Sequence, residues 1–157
     1  MKVQQHDGSI IEMEKSSVEA LEVLNHSTSH LLAEAIQELY PDALFGFGPA
    51  IENGFYYDID FKEPIVEEDL TKIEKKMHEL ASKDEKIVRQ VLSKKEALEV
   101  FKNNPYKVEL IQDIDEDMDS RIIGVKGGQI VDLPIAEAVQ MKHEHTHGLR
   151  DLIDMLQ

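Results

Sequence analysis

Leu24-Asn25-His26-Ser27-Thr28-Ser29-His30-Leu31-Leu32 is the stretch from which the fold is read. Its two histidines stand four residues apart, and apolar residues recur around them at helical spacing: Val18, Leu21, Leu24, Leu31, Leu32, Ala35, Ile36 and Leu39. Residues four apart on a helix share a face, so both imidazoles project from one side, about one turn apart. Ser16 or Ser17 suits the N-cap, Glu19 and Glu22 lie near the positive end, and Pro41 stops the helix near Tyr40. From His26 to His30 every residue is polar. Polar groups in a core helix need partners, which marks this face as a candidate site.

The 157 residues carry 32 acidic side chains against 17 Lys and Arg, a formal net charge of -15, and no cysteine. With 41% hydrophobic residues the chain is long enough to bury one compact core. Without cysteine there is no disulfide, thiolate nucleophile or cysteine-ligated zinc, so any metal must be held by histidine and carboxylate. Residues 1 to 60 hold only Lys2 and Lys15 against eleven Asp and Glu. Such a surface repels phosphate, so non-specific nucleic-acid binding is not expected; a short polyanion end can enter a local pocket if another module supplies the grip. No run of 18 apolar residues and no apolar leader occurs, so neither a membrane span nor a secretory signal is expected, and a cytoplasmic location follows by default. No glycine-rich phosphate loop, dinucleotide fingerprint or Ser-His-Asp elbow is present, and ATP chemistry is not expected.

The remaining pattern predicts an α+β fold, an antiparallel sheet packed by the long histidine-bearing helix and further helices. Residues 1 to 15 alternate through Met1, Val3 and, after Asp7-Gly8, Ile10 and Ile11, as a short hairpin or the remnant of a preceding module would. Between Leu44 and Phe61 aromatics crowd around Gly46, Gly48 and Asn53-Gly54, and the Asn-Gly pair signals a hairpin. The glycines read either as a cleft wall where backbone approaches a ligand or as bends in an aromatic sheet. A second helix is expected over Glu67 to Ser82 with the stripe Leu70, Ile73, Met77 and Leu80, then a strand over Ile87 to Leu92, then a short helix from Ser93 to Phe101 ended by Asn103-Asn104-Pro105. Tyr106 to Ile111 leads into an acidic, solvated loop, Asp113 to Asp119. Arg121 to Lys126 and Gln129 to Leu133 flank Gly127-Gly128, a second hairpin signal, and a helix is expected from Ile135 to about His147, followed by amphipathic turns.

Taken alone, a His-x-x-x-His pair can hold a metal, position a water, donate to a bound group, or be a satisfied structural pair. Lys142 to His147 contains His143-Glu144-x-x-His147, the zinc-peptidase signature. Gly148 follows at once and no third ligand is marked, so a solvated polar stretch is the weightier reading. A mixed zinc site is chemically available if the fold brings His143 or His147 to His26 and His30. Lys107 and Asp132 sit at element boundaries, from which polar side chains reach clefts; by themselves both are ordinary charged residues.

Asn25 to Ala33, Leu39-Tyr-Pro-Asp42, and Gly46 through Asn53-Gly-Phe-Tyr-Tyr-Asp58 together resemble the editing domain of bacterial threonyl-tRNA synthetase, a fold shared by alanyl-tRNA synthetase editing domains and their free-standing relatives. The similarity continues through the Asp69 to Leu80 helix, Asn104 to Ile111 and Gly127 to Leu133, and so covers residues 17 to 133. It implies residues 16–133 as an editing-like domain, after the N-terminal hairpin at 1–15 and before a divergent helical segment of the same domain at 134–157. It also implies a deacylase that hydrolyses serine from mischarged threonine tRNA. The tRNA acceptor end would be the partner, along with the remaining synthetase domains if the chain is a fragment; no aminoacylation site is present. His26 and His30 match the family's paired histidines, Lys107 its functional lysine, and Asp132 the aspartate that opens its last motif. Ser29, Phe45, Gly46 and Tyr56 are the substrate-binding candidates. No cofactor is required, and zinc is the optional metal. Pro134 and Ala138 stand where the family carries Cys and His, which supports a second reading: a catalytically silent relative acting as a binding or regulatory module.

Overall fold

Helix formation at residues 18 to 39 organises everything around it. The computed structural model describes residues 1–4, 9–46, 50–51, 54–84, 87–113, 120–125 and 145–146. In chain order the elements are β1 (Lys2–Gln4), β2 (Ile10–Glu12), α1 (Val18–Leu39), β3 (Leu44–Phe45), β4 (Ala50–Ile51), β5 (Gly54–Phe55) and β6 (Ile59–Asp60). There follow α2 (Glu67–Ser82), β7 (Ile87–Leu92), α3 (Lys94–Phe101), α4 (Pro105–Gln112), β8 (Ser120–Val125) and β9 (His145–Thr146). This is the expected α+β class, with every described strand pair antiparallel.

Ser17 caps α1 by accepting from the amide of Ala20, and the helix ends at Leu39 just before Pro41. Its inner face buries Leu24, Leu31, Ala35 and Ile36 against Ile73, Leu80 and Ala81 of α2 and Ala43 of the connecting turn. Each buried leucine of this kind contributes about 1.5–3 kcal/mol relative to exposure. Phe45 of β3, Ile59 of β6 and Phe61 just after it close the side of this core, and β3 and β6 pair Leu44 with Asp60 and Phe45 with Ile59. Val18 and Leu21, which fit the helical periodicity, are instead exposed, Val18 at 69%, because the first turn of α1 turns Ala20 inward and leaves these two on its outer side. A second, smaller cluster joins α3 and α4: Ala97 and Ile111 are fully buried, with Leu92, Leu98, Phe101 and Leu110 packed around them.

The hairpin expected at Asn53-Gly54 forms one residue earlier. Ala50 pairs with Phe55 and Ile51 with Gly54, so residues 52 and 53 connect the arms and Gly54 is the first residue of β5. Gly54 has φ of +143°, a backbone setting that side chains rarely tolerate, so glycine is needed at the exit of the turn rather than within it. Asn103-Asn104-Pro105 ends α3 as expected and also starts α4, with Asn104 at the N-cap and Pro105 in the first turn. The expected helix over 135 to 147 is corrected at its end: His145 and Thr146 form β9, with Val3 opposite Thr146 and Gln4 opposite His145. β1 uses its other edge for β2, and an open edge accepts an added strand more readily than a helix tolerates the neighbouring Gly148. β7 and β8 pair over six residues, from Ile87 opposite Val125 to Leu92 opposite Ser120. The hairpin signal at Gly127-Gly128 and the strand expected at 129–133 lie outside the described residues. Among the described residues no helix is long and apolar enough to cross a membrane.

At the start of α2 a carboxylate takes over the cap, since Val66 at the N-cap position has no polar side chain to offer. Asp69 accepts from the Val66 amide at 3.0 Å and from Lys72 Nζ at 2.7 Å. The Lys72 ammonium first, and then the Val66 amide, hold the Asp69 carboxyl at about 2, below its ordinary 3.8. A depressed carboxylate stabilises the fold above its unfolded-state value, and that contribution is lost as pH falls through the folded-state value. Asp69→Asn is therefore expected to lower the thermal midpoint at neutral pH. The gap from the parent protein closes as pH is lowered from about 4 to about 2; melting curves across that window check this.

Candidate functional site

The residues 26, 30, 33 and 37 of α1 fall within about 60° of one another around the helix axis, at 3.6 residues per turn. One stripe therefore carries His26 and His30 and then Ala33 and Gln37. Along it the histidines touch: Nε2 of His30 lies 3.1 Å from Nε2 of His26, with ring centroids 4.7 Å apart and the rings nearly perpendicular at 81°. At that distance one ring nitrogen donates and the other accepts, so the tautomers of the two rings are coupled. His30 is 6% exposed and His26 half-buried, so His26 is the ring that solvent reaches and His30 the one that holds it.

Two of the hydroxyls between them are used by the helix itself. Thr28 Oγ1 donates to the Leu24 carbonyl at 2.7 Å, and Ser29 Oγ donates to the His26 carbonyl at 2.7 Å. Ser29, a substrate-binding candidate, is thus buried with its proton committed to the backbone that carries His26. Glu34, one residue beyond Ala33, is also buried and had no counterpart in the sequence reading.

Further along the stripe a cavity of about 350 Å³ opens between α1, β3 and the junction of α3 with α4. Ala33 and Gln37 form one side of it, Phe45 and Tyr57 another, and Phe101, Asn104 and Lys107 the far side. Phe45 and Tyr57 meet edge to face at 5.8 Å. The other aromatic candidate, Tyr56, points away and is 52% exposed. Exposure alternates strictly from Phe55 to Phe61, so the inward positions of Ile59 and Phe61 require Tyr57, not Tyr56, on the inner face. That alternation was the signal available in the sequence.

Lys107 is 6% exposed and donates from Nζ to the carbonyl of Gly46 at 2.8 Å. Asn104, at the cap of the same helix, accepts the Lys107 amide with Oδ1 at 3.3 Å and donates with Nδ2 to the Phe45 carbonyl at 3.0 Å. Tyr106 adds a third tie, from its hydroxyl to Asp60 at 2.8 Å, and this bond to a carboxylate raises the phenol above its ordinary value. Two consecutive carbonyls of the glycine loop are thereby fixed by the first turn of α4. Gly46 itself donates to the Asp58 carbonyl at 2.9 Å, and a Cβ there would stand 3.2 Å from that oxygen, tighter than ordinary contact.

Of the candidates named from sequence, His26, His30, Ser29, Phe45, Gly46 and Lys107 are placed as above, and Tyr56 faces outward. Asp132, His143 and His147 lie outside the described residues. A zinc centre takes three or four protein ligands; among the described residues no group of three or more His, Cys, Asp or Glu is assembled, and the histidine pair supplies two.

No protein-family model matches the chain. Individual proteins do. It is 50% identical over 113 residues, 72% of its length, to the threonine–tRNA ligase of Staphylococcus epidermidis, and covers 18% of that protein. It is 44% identical over 130 residues, 82% of its length, to the threonine–tRNA ligase of Acholeplasma laidlawii, covering 20% of it. With the threonine–tRNA ligase of Herminiimonas arsenicoxydans the identity is 50% over 117 residues. Most of this α+β chain is therefore homologous to a segment of aminoacyl-tRNA ligases. That segment is one of threonine–tRNA ligases, and the chain spans about a fifth of the length of the curated relatives it matches.

Because Asn104 both caps α4 and ties it to Phe45, Asn104→Ala is expected to cost about 1–2 kcal/mol of stability. Asn104→Asp keeps the cap but cannot donate to the carbonyl, so denaturant titration should place it between the parent protein and the alanine variant.

Proposed function

We propose that this chain is an editing segment of threonyl-tRNA synthetase type, which hydrolyses the ester joining serine to the end of threonine tRNA. The observation that carries the reading is the contact of His26 with His30 on the helix whose Ala33 and Gln37 line a cavity, in a chain homologous to threonine–tRNA ligases. In the reaction a water oxygen bonds to the ester carbonyl carbon and the bond from that carbon to the ribose oxygen breaks. The water gives its proton to a base, and the ribose oxygen leaves as a hydroxyl. His26 is the base suited by exposure, and His30 fixes its tautomer and orientation, as a base held by a second group requires. Lys107 supplies a cation to the site wall for the charge that develops on the carbonyl oxygen. Asp132 joins them by the family resemblance.

A second site is chemically needed for this discrimination. A single methyl group supplies only about 1–3 kcal/mol of discrimination, so serine that escapes selection against threonine must be removed after attachment. The tRNA body and the other synthetase domains are the proposed partners, since a chain of net charge -15 offers no general grip on phosphate. The hydrolysis requires no cofactor. Pro134 and Ala138, where the family has Cys and His, favour the second reading of a silent binding module.

Incubation of the purified chain with seryl-tRNA and threonyl-tRNA for threonine separates the two. Serine release above the spontaneous rate is expected, with slower release of threonine, and His26→Ala and His30→Ala should each reduce it by roughly 10²–10⁴. Folded chain that releases serine no faster than buffer overturns the deacylase and leaves the binding module. Loss of release on chelation with recovery on zinc addition would move the histidine pair to a metal role.

A further inference from the structure

The contact between the histidines allows two arrangements of protons, and only one of them lets His26 serve as a base. In the first, His30 carries its proton on Nε2 and donates to Nε2 of His26. Neutral His26 then holds its own proton on Nδ1 and has no lone pair to offer a water. In the second, His30 carries its proton on Nδ1 and accepts at Nε2; His26 then donates from Nε2, and its Nδ1 presents the lone pair. Whatever settles the proton on His30 therefore settles whether the pair works.

We propose that Glu34 is the positioning residue that settles it; this rests on the deacylase reading and adds to that site the group acting through His30. Glu34 stands four residues beyond His30, as His30 stands four beyond His26, so the three follow one another at successive turns of α1, each rotated by about 40° from the last. Side chains on a helix lean toward its N-terminus. The His30 ring does so in reaching His26, and the longer side chain of Glu34 leans by the same rule over the turn that carries His30. Glu34 is 5% exposed, and Oε2 of Glu34 and Nδ1 of His30 are both sealed from water. Nε2 of His30 is turned to His26, which leaves Nδ1 as the nitrogen on which Glu34 can act.

These two atoms are not in hydrogen-bond contact as they stand, so the carboxylate acts by charge. In an interior that excludes water, an anion one turn away favours an N–H on that nitrogen and disfavours a lone pair there. The nearby hydroxyls of Thr28 and Ser29 give their protons to backbone carbonyls and so do not donate to it. The reaction gains no new step. The proton of the attacking water goes to Nδ1 of His26, and the buried carboxylate offsets the positive charge that the two rings then share.

Labelling histidine with ¹⁵N distinguishes the tautomers by NMR at a pH where both rings are neutral. In the parent chain His30 is expected to be protonated at Nδ1 and His26 at Nε2. Glu34→Met, close in size but uncharged, should move the His30 proton toward Nε2 and lower kcat for serine release at least about tenfold with KM unchanged. Glu34→Asp, which keeps the charge, should retain the Nδ1 form. If circular dichroism shows Glu34→Met unfolded, the parent spectrum and Glu34→Asp carry the test. His30 protonated at Nε2 in the parent chain, or tautomers unchanged in folded Glu34→Met, overturns the assignment. A purely structural role would slow release in both variants without moving the tautomers, and is overturned by their movement. The expected tautomers without serine release remove the deacylase and leave Glu34 in control of the pair. Serine release by a chain whose tautomers ignore Glu34 does the reverse.

Discussion

A buried ammonium on a backbone carbonyl holds the two halves of this structure together. Lys107 is almost fully enclosed, and a charge in that position is tolerable only with close polar partners. Its bond to Gly46, with the neighbouring bond from Asn104 to Phe45, fastens the α3–α4 unit to the sheet that flanks α1. Together with the bond from Tyr106 to Asp60 they link the two hydrophobic clusters, one around Leu24 and Leu31 and the other around Ala97 and Ile111. The cavity is the space left between them, so the interactions that join the halves also define the candidate site.

The histidine pair depends on a different constraint. A run of five polar residues inside a packed helix needs partners, and four of them find one along the helix itself: Thr28 and Ser29 bond back to carbonyls one turn earlier, and His26 and His30 bond to each other. The Thr28 and Ser29 hydroxyls thus shape the helix rather than reach outward, so a polar residue beside a site is not thereby a member of it.

Helices α1, α2 and α3 were legible because their signals are local: the cap at Ser17, the stripe of α2, from which only Leu70 turns outward, and the cap at Ser93 depend on residues within one or two turns. Antiparallel pairing of β7 with β8 was legible only as two apolar runs, because register is settled by the partner strand. The hairpin at residues 50–55 was misplaced by one position because an Asn-Gly pair marks a turn but not which of its residues must take the positive φ. β9 could not be foreseen, since residues 145–146 extend only by finding the edge of β1, over 140 positions away in sequence. For the site, the pair His26 and His30 followed from helical geometry alone, Lys107 came from family resemblance, and Asn104 was read as a helix end when it is also a helix start.

Placing His26, His30, Ala33 and Gln37 on one stripe makes α1 a ruler as well as a scaffold. The separation between the histidine pair and the cavity wall at Ala33 and Gln37 is fixed by the turns of a single rigid element, not by the meeting of two loops. Such a device is phase-locked: one residue inserted between His30 and Ala33 would lengthen it by only about 1.5 Å but rotate everything beyond by about 100°. The histidines would then face one direction and the cavity wall another. The length of this ruler can change without loss of the shared face only in steps that preserve the helical phase.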